Sequence, residues 1–149
     1  RQCIVASLDV KRKNGKYRIF IENGTKEINE SFDTCIGDVL NLPIGEIYLN
    51  SIDRDGTGQG YDLNLIKALP DELSIPVIIA GGVGKQQHLA EGLKNHKIDA
   101  VATAHLFNFL GDSLQKTRAA LLEENFSLPV WNFQQFKSLK RSLYTSTTK

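Results

Sequence analysis

The sequence predicts an α/β fold of four consecutive βα units, either an open four-stranded α/β domain or one half of a (β/α)8 barrel. Three observations predict it. Four short runs are continuously apolar rather than alternating, as expected of parallel strands covered on both faces. Helical patterns separate these runs. Glycine-rich loops follow two of them, where α/β enzymes present polar groups at the C-terminal ends of strands. A complete barrel takes about 250 residues, and this chain has 149.

The first run, Ile4-Val5-Ala6-Ser7-Leu8, predicts a strand near residues 4–9. A hairpin insertion follows at about residues 12–25, because Lys16-Tyr17-Arg18-Ile19-Phe20-Ile21 lies between Asn14-Gly15 and Asn23-Gly24. Asn-Gly supplies the positive φ angles that tight hairpin turns need. A helix is expected from Phe32 to Leu42, stopped by Pro43. Strands near 47–52, 77–80 and 100–104 follow, with helices at about Leu63–Leu73, Gln86–Asn95 and Leu114–Glu124 between and after them. The order is βαβαβαβα, a right-handed parallel crossover series. Trp131, Phe133, Phe136, Leu139 and Leu143 form the apolar stripe of a last helix at about 131–143, before a polar end expected to be disordered.

Composition narrows the function. Hydrophobic residues make up 41% and charged residues 23% of the chain, within the globular range. Eighteen basic residues against 17 acidic give a net charge of +1, so nucleic acid is not an expected partner. No apolar run approaches the roughly 20 residues that span a bilayer, so no membrane association is expected. No secretory signal pattern opens the chain, and Cys3 and Cys35 read as buried, reduced thiols of a cytoplasmic protein. The start at Arg1-Gln2-Cys3 and the absence of methionine read as a fragment.

Asp9 closes the first strand, where a carboxylate can serve as general acid or base, or simply cap the loop or pair with Lys11 or Arg12. After the second strand, Ser51-Ile52-Asp53-Arg54-Asp55-Gly56-Thr57-Gly58-Gln59-Gly60-Tyr61-Asp62 offers exposed N–H groups to an anion. It reads equally as a tight loop whose aspartates satisfy turn N–H groups and cap the next helix. Gly81-Gly82-Val83-Gly84-Lys85 follows the third strand and opens a helix, a second place for phosphate. It has neither Walker nor dinucleotide-fingerprint spacing. In barrels the phosphate site is frequently built after the last two strands, here Gly81-Gly82 and Ala104-His105. His88 and His96 fall on a helix and are expected to be exposed, and His105 ends the fourth strand. The histidines lack metal-ligand spacing, and no cofactor or metal is expected.

Ser7-Leu8-Asp9-Val10-Lys11-Arg12, Gly45-Glu46-Ile47, the SIDRDGT core at 51–57, Gly60-Tyr61-Asp62 and Gly81-Gly82-Val83-Gly84-Lys85 together resemble the cyclase subunit of imidazole glycerol phosphate synthase, a histidine-biosynthesis family. The likeness runs from residue 3 to about residue 110 and corresponds to the C-terminal half of that subunit. It implies that residues 1–149 are a single half-barrel domain, four βα units of a (β/α)8 TIM barrel with a small hairpin insertion after the first strand. It implies a lyase that joins ammonia from a glutaminase partner to a ribulosyl aminoimidazole carboxamide nucleotide. The products would be imidazole glycerol phosphate and an aminoimidazole carboxamide ribotide.

By the same resemblance, Asp9 is one of two catalytic aspartates. Asp55, Gly56, Gly81, Gly82, Ala104 and His105 surround a substrate phosphate, and Glu46 belongs to the gate that admits ammonia. The other catalytic aspartate would lie in another half, so this piece alone is expected to be inactive. Asn50 stands where threonine is common, His105 where a small hydroxyl residue is common, and the tail around Leu128-Pro129-Val130-Trp131 departs from the usual ending. These departures resemble a paralogue group that delivers ammonia for amidination of a surface-polysaccharide sugar. A third reading is a non-catalytic phosphate-binding half-barrel that pairs with itself or with a separate N-terminal half.

Overall fold

The computed structural model describes residues 3–104, 106 and 113–129. The chain divides into two compact units, residues 1–117 and 118–149. In the first unit a six-stranded sheet has the order β3-β2-β1-β4-β5-β6. Its strands are β1 (Val5–Lys13), β2 (Lys16–Ile21), β3 (Lys26–Glu27), β4 (Glu46–Ser51), β5 (Val77–Ala80) and β6 (Ala100–Val101). The helices are α1 (Phe32–Leu40), α2 (Leu63–Lys67), α3 (Gln86–Leu93) and α4 (Ser113–Glu123).

Four strands are parallel and follow the order of the sequence, β1-β4-β5-β6, while β2 and β3 add antiparallel to the free side of β1. A doubly wound sheet reverses its strand order to place helices on both faces. Here the order never reverses, so right-handed crossovers put α1, α2 and α3 on one face. Burial agrees with that geometry. Leu8, Val10, Ile47, Leu49, Val77 and Ile79 are buried against Phe32, Ile36, Leu65, Ile66 and Leu89. Residues alternate between the faces of a strand, and on the opposite face Val5, Ser7, Asp9, Glu46, Tyr48, Asn50 and Ile78 are half-buried or exposed.

Several elements differ from the sequence-based expectation. β1 runs four residues past Asp9 to Lys13, because its upper half pairs with β2 from Asp9↔Phe20 to Lys13↔Lys16 while its lower half pairs with β4. The insertion is thus a continuation of the first strand. α1 is capped by the Ser31 hydroxyl, which accepts from Thr34 N at 3.1 Å, and it ends at Leu40. α2 stops at Lys67 rather than near residue 73. Pro70 has no N–H to donate and disfavours helical backbone in the residue before it. β6 is only two residues long and does not extend to residue 104. Cys3 is exposed, which corrects the expectation of two buried thiols; Cys35 is buried and both thiols are free. The helix expected at 131–143 and its polar end lie outside the described residues.

In the second unit the chain turns after α4, where Phe126 N donates to Leu121 O at 3.0 Å and Arg118 Nη2 donates to Pro129 O. No helix among the described residues is long and apolar enough to cross a membrane.

Candidate functional site

The C-terminal ends of β4 and β5 carry two loops that interlock through their backbones. The first begins as a tight turn, with Arg54 N and Asp55 N both donating to Ser51 O at 3.1 and 3.0 Å. It closes on the second loop where Gly60 N donates to Gly82 O at 2.7 Å. At Gly82 (φ +100°) a Cβ would lie 2.2 Å from Gly60 O, and at Gly84 one would lie 2.6 Å from Gly58 O. No other residue type permits that approach. Gly56 (φ +72°) has no neighbour within 4 Å of where its Cβ would be, so its backbone is open to solvent.

Between these loops and the end of β6 lies a pocket of about 240 Å³ lined by Asp55, Gly56, Gly81, Gly82, Thr103 and Ala104, among others. Among the described residues, the N–H groups of Gly56, Gly82 and Val83 donate to no other group. A concavity of unengaged N–H groups is an anion site in its own right. Gly84 N is not available to it, since it donates to His88 Nδ1 at 3.2 Å.

The flanking side chains fix the loops in place. The carboxylate of Asp62 caps α2, its Oδ1 accepting from Asn64 N and Leu65 N at 3.1 Å, and the Tyr17 hydroxyl from the hairpin donates to both carboxylate oxygens at 3.1 Å. Burial, aided by the Asp62 charge, pushes the Tyr17 phenol up to about 12. Asp53 Oδ2 accepts from Arg12 N at 2.6 Å and ties the same loop to β1. Tyr61 is buried, donates to Ala102 O at 3.0 Å and so joins the loop to the residue after β6. Burial raises its phenol pKa as well.

Asp9 stands on the open face of β1, next to β4, whose loop lines this pocket. Its carboxylate accepts from Asn50 Nδ2 at 3.0 Å across the β1–β4 pair. Among the described residues it makes no ion pair with Lys11 or Arg12, so the salt-bridge reading of Asp9 fails. One layer below, Tyr48 faces Ser7 on one side and Ile78 on the other. Burial raises its phenol pKa, with the charges of Asp55 and Asp9 adding to the effect. Glu46 opens β4 opposite Val5, five residues from Ser51 and so about 17 Å from the loop end.

The structure therefore gathers Asp55, Gly56, Gly81, Gly82 and Ala104 around one pocket, sets Asp9 beside Asn50, and leaves Glu46 at the opposite end of β4. His105 lies outside the described residues. His88 is half-buried rather than exposed, and its ring lies where a Cβ on Gly60 would meet it at 3.4 Å. His96 is exposed just beyond the end of α3. Sequence reasoning missed Tyr48 and the Tyr17–Asp62 link. Tyr48 was accessible from the alternation Glu46, Tyr48, Asn50 along one strand face; the link needed the register of the hairpin.

Comparison with known proteins shows the family. The sequence model of the family described as "Histidine biosynthesis protein" matches residues 1–112. A relative in Parasynechococcus marenigrum (strain WH8102), provisionally named imidazole glycerol phosphate synthase subunit hisF2, is 44% identical over 150 residues, an alignment that covers all of this chain and 54% of the relative. The chain thus spans about half the length of that relative. Matched by the family model over three-quarters of its residues, the chain belongs to the histidine biosynthesis protein family.

Proposed function

We propose that this chain is the C-terminal half of a (β/α)8 barrel cyclase of the imidazole glycerol phosphate synthase type, and that its open sheet face lines the interior of the completed barrel. The observation that carries the reading is the shared placement of Asp9 and the glycine pocket at the C-terminal end of sequentially ordered parallel strands, where barrel enzymes place their chemistry. The relative's name supports the cyclase class, and the open face, with strand edges unpaired among the described residues, supports a partner half.

In this reading the N–H groups of Gly56, Gly82 and Val83, with Gly81 and Ala104 beside them, hold one phosphate of a ribulosyl nucleotide. Asp55, whose carboxylate cannot accept from a fully ionised phosphate, orients the loop and meets hydroxyl groups of the substrate. Holding the phosphate fixes the sugar over Asp9 and turns the encounter with ammonia into an effectively unimolecular step. Asp9 acts as general acid or base, with Asn50 orienting its carboxylate. A second acid or base comes from the other half. Ammonia from a glutaminase partner enters at the N-terminal end of the strands past Glu46 and travels along the face bearing Tyr48 toward Asp9. Attack of its nitrogen on the ketone carbon of the ribulosyl portion expels water; ring closure onto the formimino carbon then breaks that carbon's bond to the aminoimidazole carboxamide ribotide, which leaves with the proton, and yields imidazole glycerol phosphate.

Incubating the full-length protein with an ammonium salt and the ribulosyl nucleotide tests the proposal. Turnover by the complete protein, and none by the 149-residue chain alone, is the expected result. Ammonia-dependent amidation of a nucleotide sugar, with no turnover of the ribulosyl nucleotide, would replace this reading with the polysaccharide paralogue.

A further inference from the structure

The charge of the chain is concentrated in one arm. Residues 11–27 carry six basic and two acidic side chains, a net +4, whereas the whole chain is +1, so the remainder carries −3. That arm is the hairpin formed by the upper half of β1 with β2 and β3, and it rises from the reaction end of the sheet.

Register places its cations on one face. Lys13 pairs with Lys16, Lys11 with Arg18 and Asp9 with Phe20, and paired residues share a face. Lys11, Lys13, Lys16 and Arg18 therefore point to the same side as Asp9, with Lys11 two residues beyond it, about 7 Å along the strand. Glu27 answers two of the four charges, accepting from Lys13 Nζ at 2.5 Å and Arg18 Nε at 2.7 Å, and Arg18 Nη2 is also held by Ile28 O and Asn29 O. The exposed Lys11 and Lys16 have no hydrogen-bonded or ion-paired partner among the described residues. The pocket itself is lined by no cation among the described residues and contains the Asp55 carboxylate.

We propose that the hairpin is an electrostatic capture arm, in which Lys11 and Lys16 draw a phosphorylated small molecule toward the glycine pocket and past Asp9. This rests on the phosphate reading of that pocket and adds the means by which an anion reaches a site whose lining, among the described residues, is uncharged or negative. Exposed cations beside a concave site raise the local concentration of an anionic ligand, and the effect fades as salt shortens the Debye length. Lys13 and Arg18, neutralised in part by Glu27, hold the hairpin's shape. Lys11 and Lys16 supply the free charge.

The test is calorimetric titration of the 149-residue chain with inorganic phosphate at low and at 300 mM sodium chloride, for the unchanged chain, Lys11→Gln/Lys16→Gln, Lys11→Arg/Lys16→Arg and Lys67→Gln. At low salt the double glutamine variant is expected to bind phosphate about fivefold more weakly. The arginine pair and Lys67→Gln, remote on the exposed end of α2, should match the unchanged chain. At 300 mM salt all four should converge. Equal affinity of the glutamine pair at low salt, an equal loss in Lys67→Gln, or a loss that persists undiminished at 300 mM would each overturn the capture role. An unchanged chain that binds no phosphate at either salt would instead refute the pocket reading from which the inference starts. Circular dichroism melts that coincide for all four confirm that charge, not folding, has been changed.

Discussion

The two faces of β4 show how the molecule divides its work. Ile47, Leu49 and Ser51 point to the helices and are 0%, 0% and 2% exposed. Glu46, Tyr48 and Asn50, alternating with them on the same six residues, lie half-buried on the face opposite α1, α2 and α3. The first face carries the stability of the unit through close packing. The second is polar, holds the Asn50–Asp9 bond, and is the face on which we place the chemistry.

Substitutions on either face break or sharpen this contrast. The largest effect belongs to the open face: Asp9→Asn in the full-length protein should lower turnover at least about 100-fold, the scale of a lost general acid or base. The same variant should change unfolding free energy by less than about 1 kcal/mol, because an amide oxygen still accepts from Asn50. Steady-state kinetics beside urea denaturation of the same preparation separates the two. On the covered face, Leu49→Ala should cost about 2–5 kcal/mol in urea denaturation, the range for a buried leucine. Tyr48→Ala, on the same strand but the other face, should cost under about 1.5 kcal/mol. Equal costs at the two positions would contradict the division.

Gly82→Ala probes the seam between the loops. Its Cβ would press on Gly60 O at a backbone angle that disfavours side chains, so a loss of about 2 kcal/mol is expected together with loss of phosphate affinity measured by calorimetry.

The smallest effect is pH-dependent. Tyr17 has its phenol raised from the ordinary 10 to about 12, so the folded state holds that proton more tightly than the unfolded state. The stability from the Tyr17–Asp62 bond is then fully present below pH 10 and lost as pH rises through 12. The unchanged chain should exceed Tyr17→Phe by about 1 kcal/mol at pH 8, with the difference shrinking to nothing toward pH 12. Denaturation curves at several pH values read it directly.

Much of this was legible in the sequence because strand ends announce themselves. Continuous apolar runs such as Val77-Ile78-Ile79-Ala80 stop at glycine loops, and Asn14-Gly15 marks the hairpin turn. The motifs around Asp9, Asp53–Thr57 and Gly81-Gly82 pointed to the family that comparison then showed. What the sequence concealed was pairing. Nothing in Gly58, Gly60, Gly82 and Gly84 separately says that two loops pack backbone to backbone, so glycines read as anion ligands turn out also to be the contact surface of the loops. Asp62 read as a cap, but its bond to Tyr17 depends on a hairpin register invisible along the chain. β1 appeared to end at Asp9 because its upper half, Lys11-Arg12-Lys13, is charged, and only the pairing with β2 keeps it extended.

The central claim is that the glycine pocket beside Asp9 takes a phosphate through backbone N–H groups. Amide proton–nitrogen NMR spectra of the chain titrated with inorganic phosphate test it most directly. The account predicts saturable downfield shifts of the Gly56, Gly82 and Val83 amides, with those of Gly37 in α1 and of Gly45, before the opposite end of β4, unmoved. Shifts absent from those three amides, or no larger there than at Gly37 and Gly45, would contradict it.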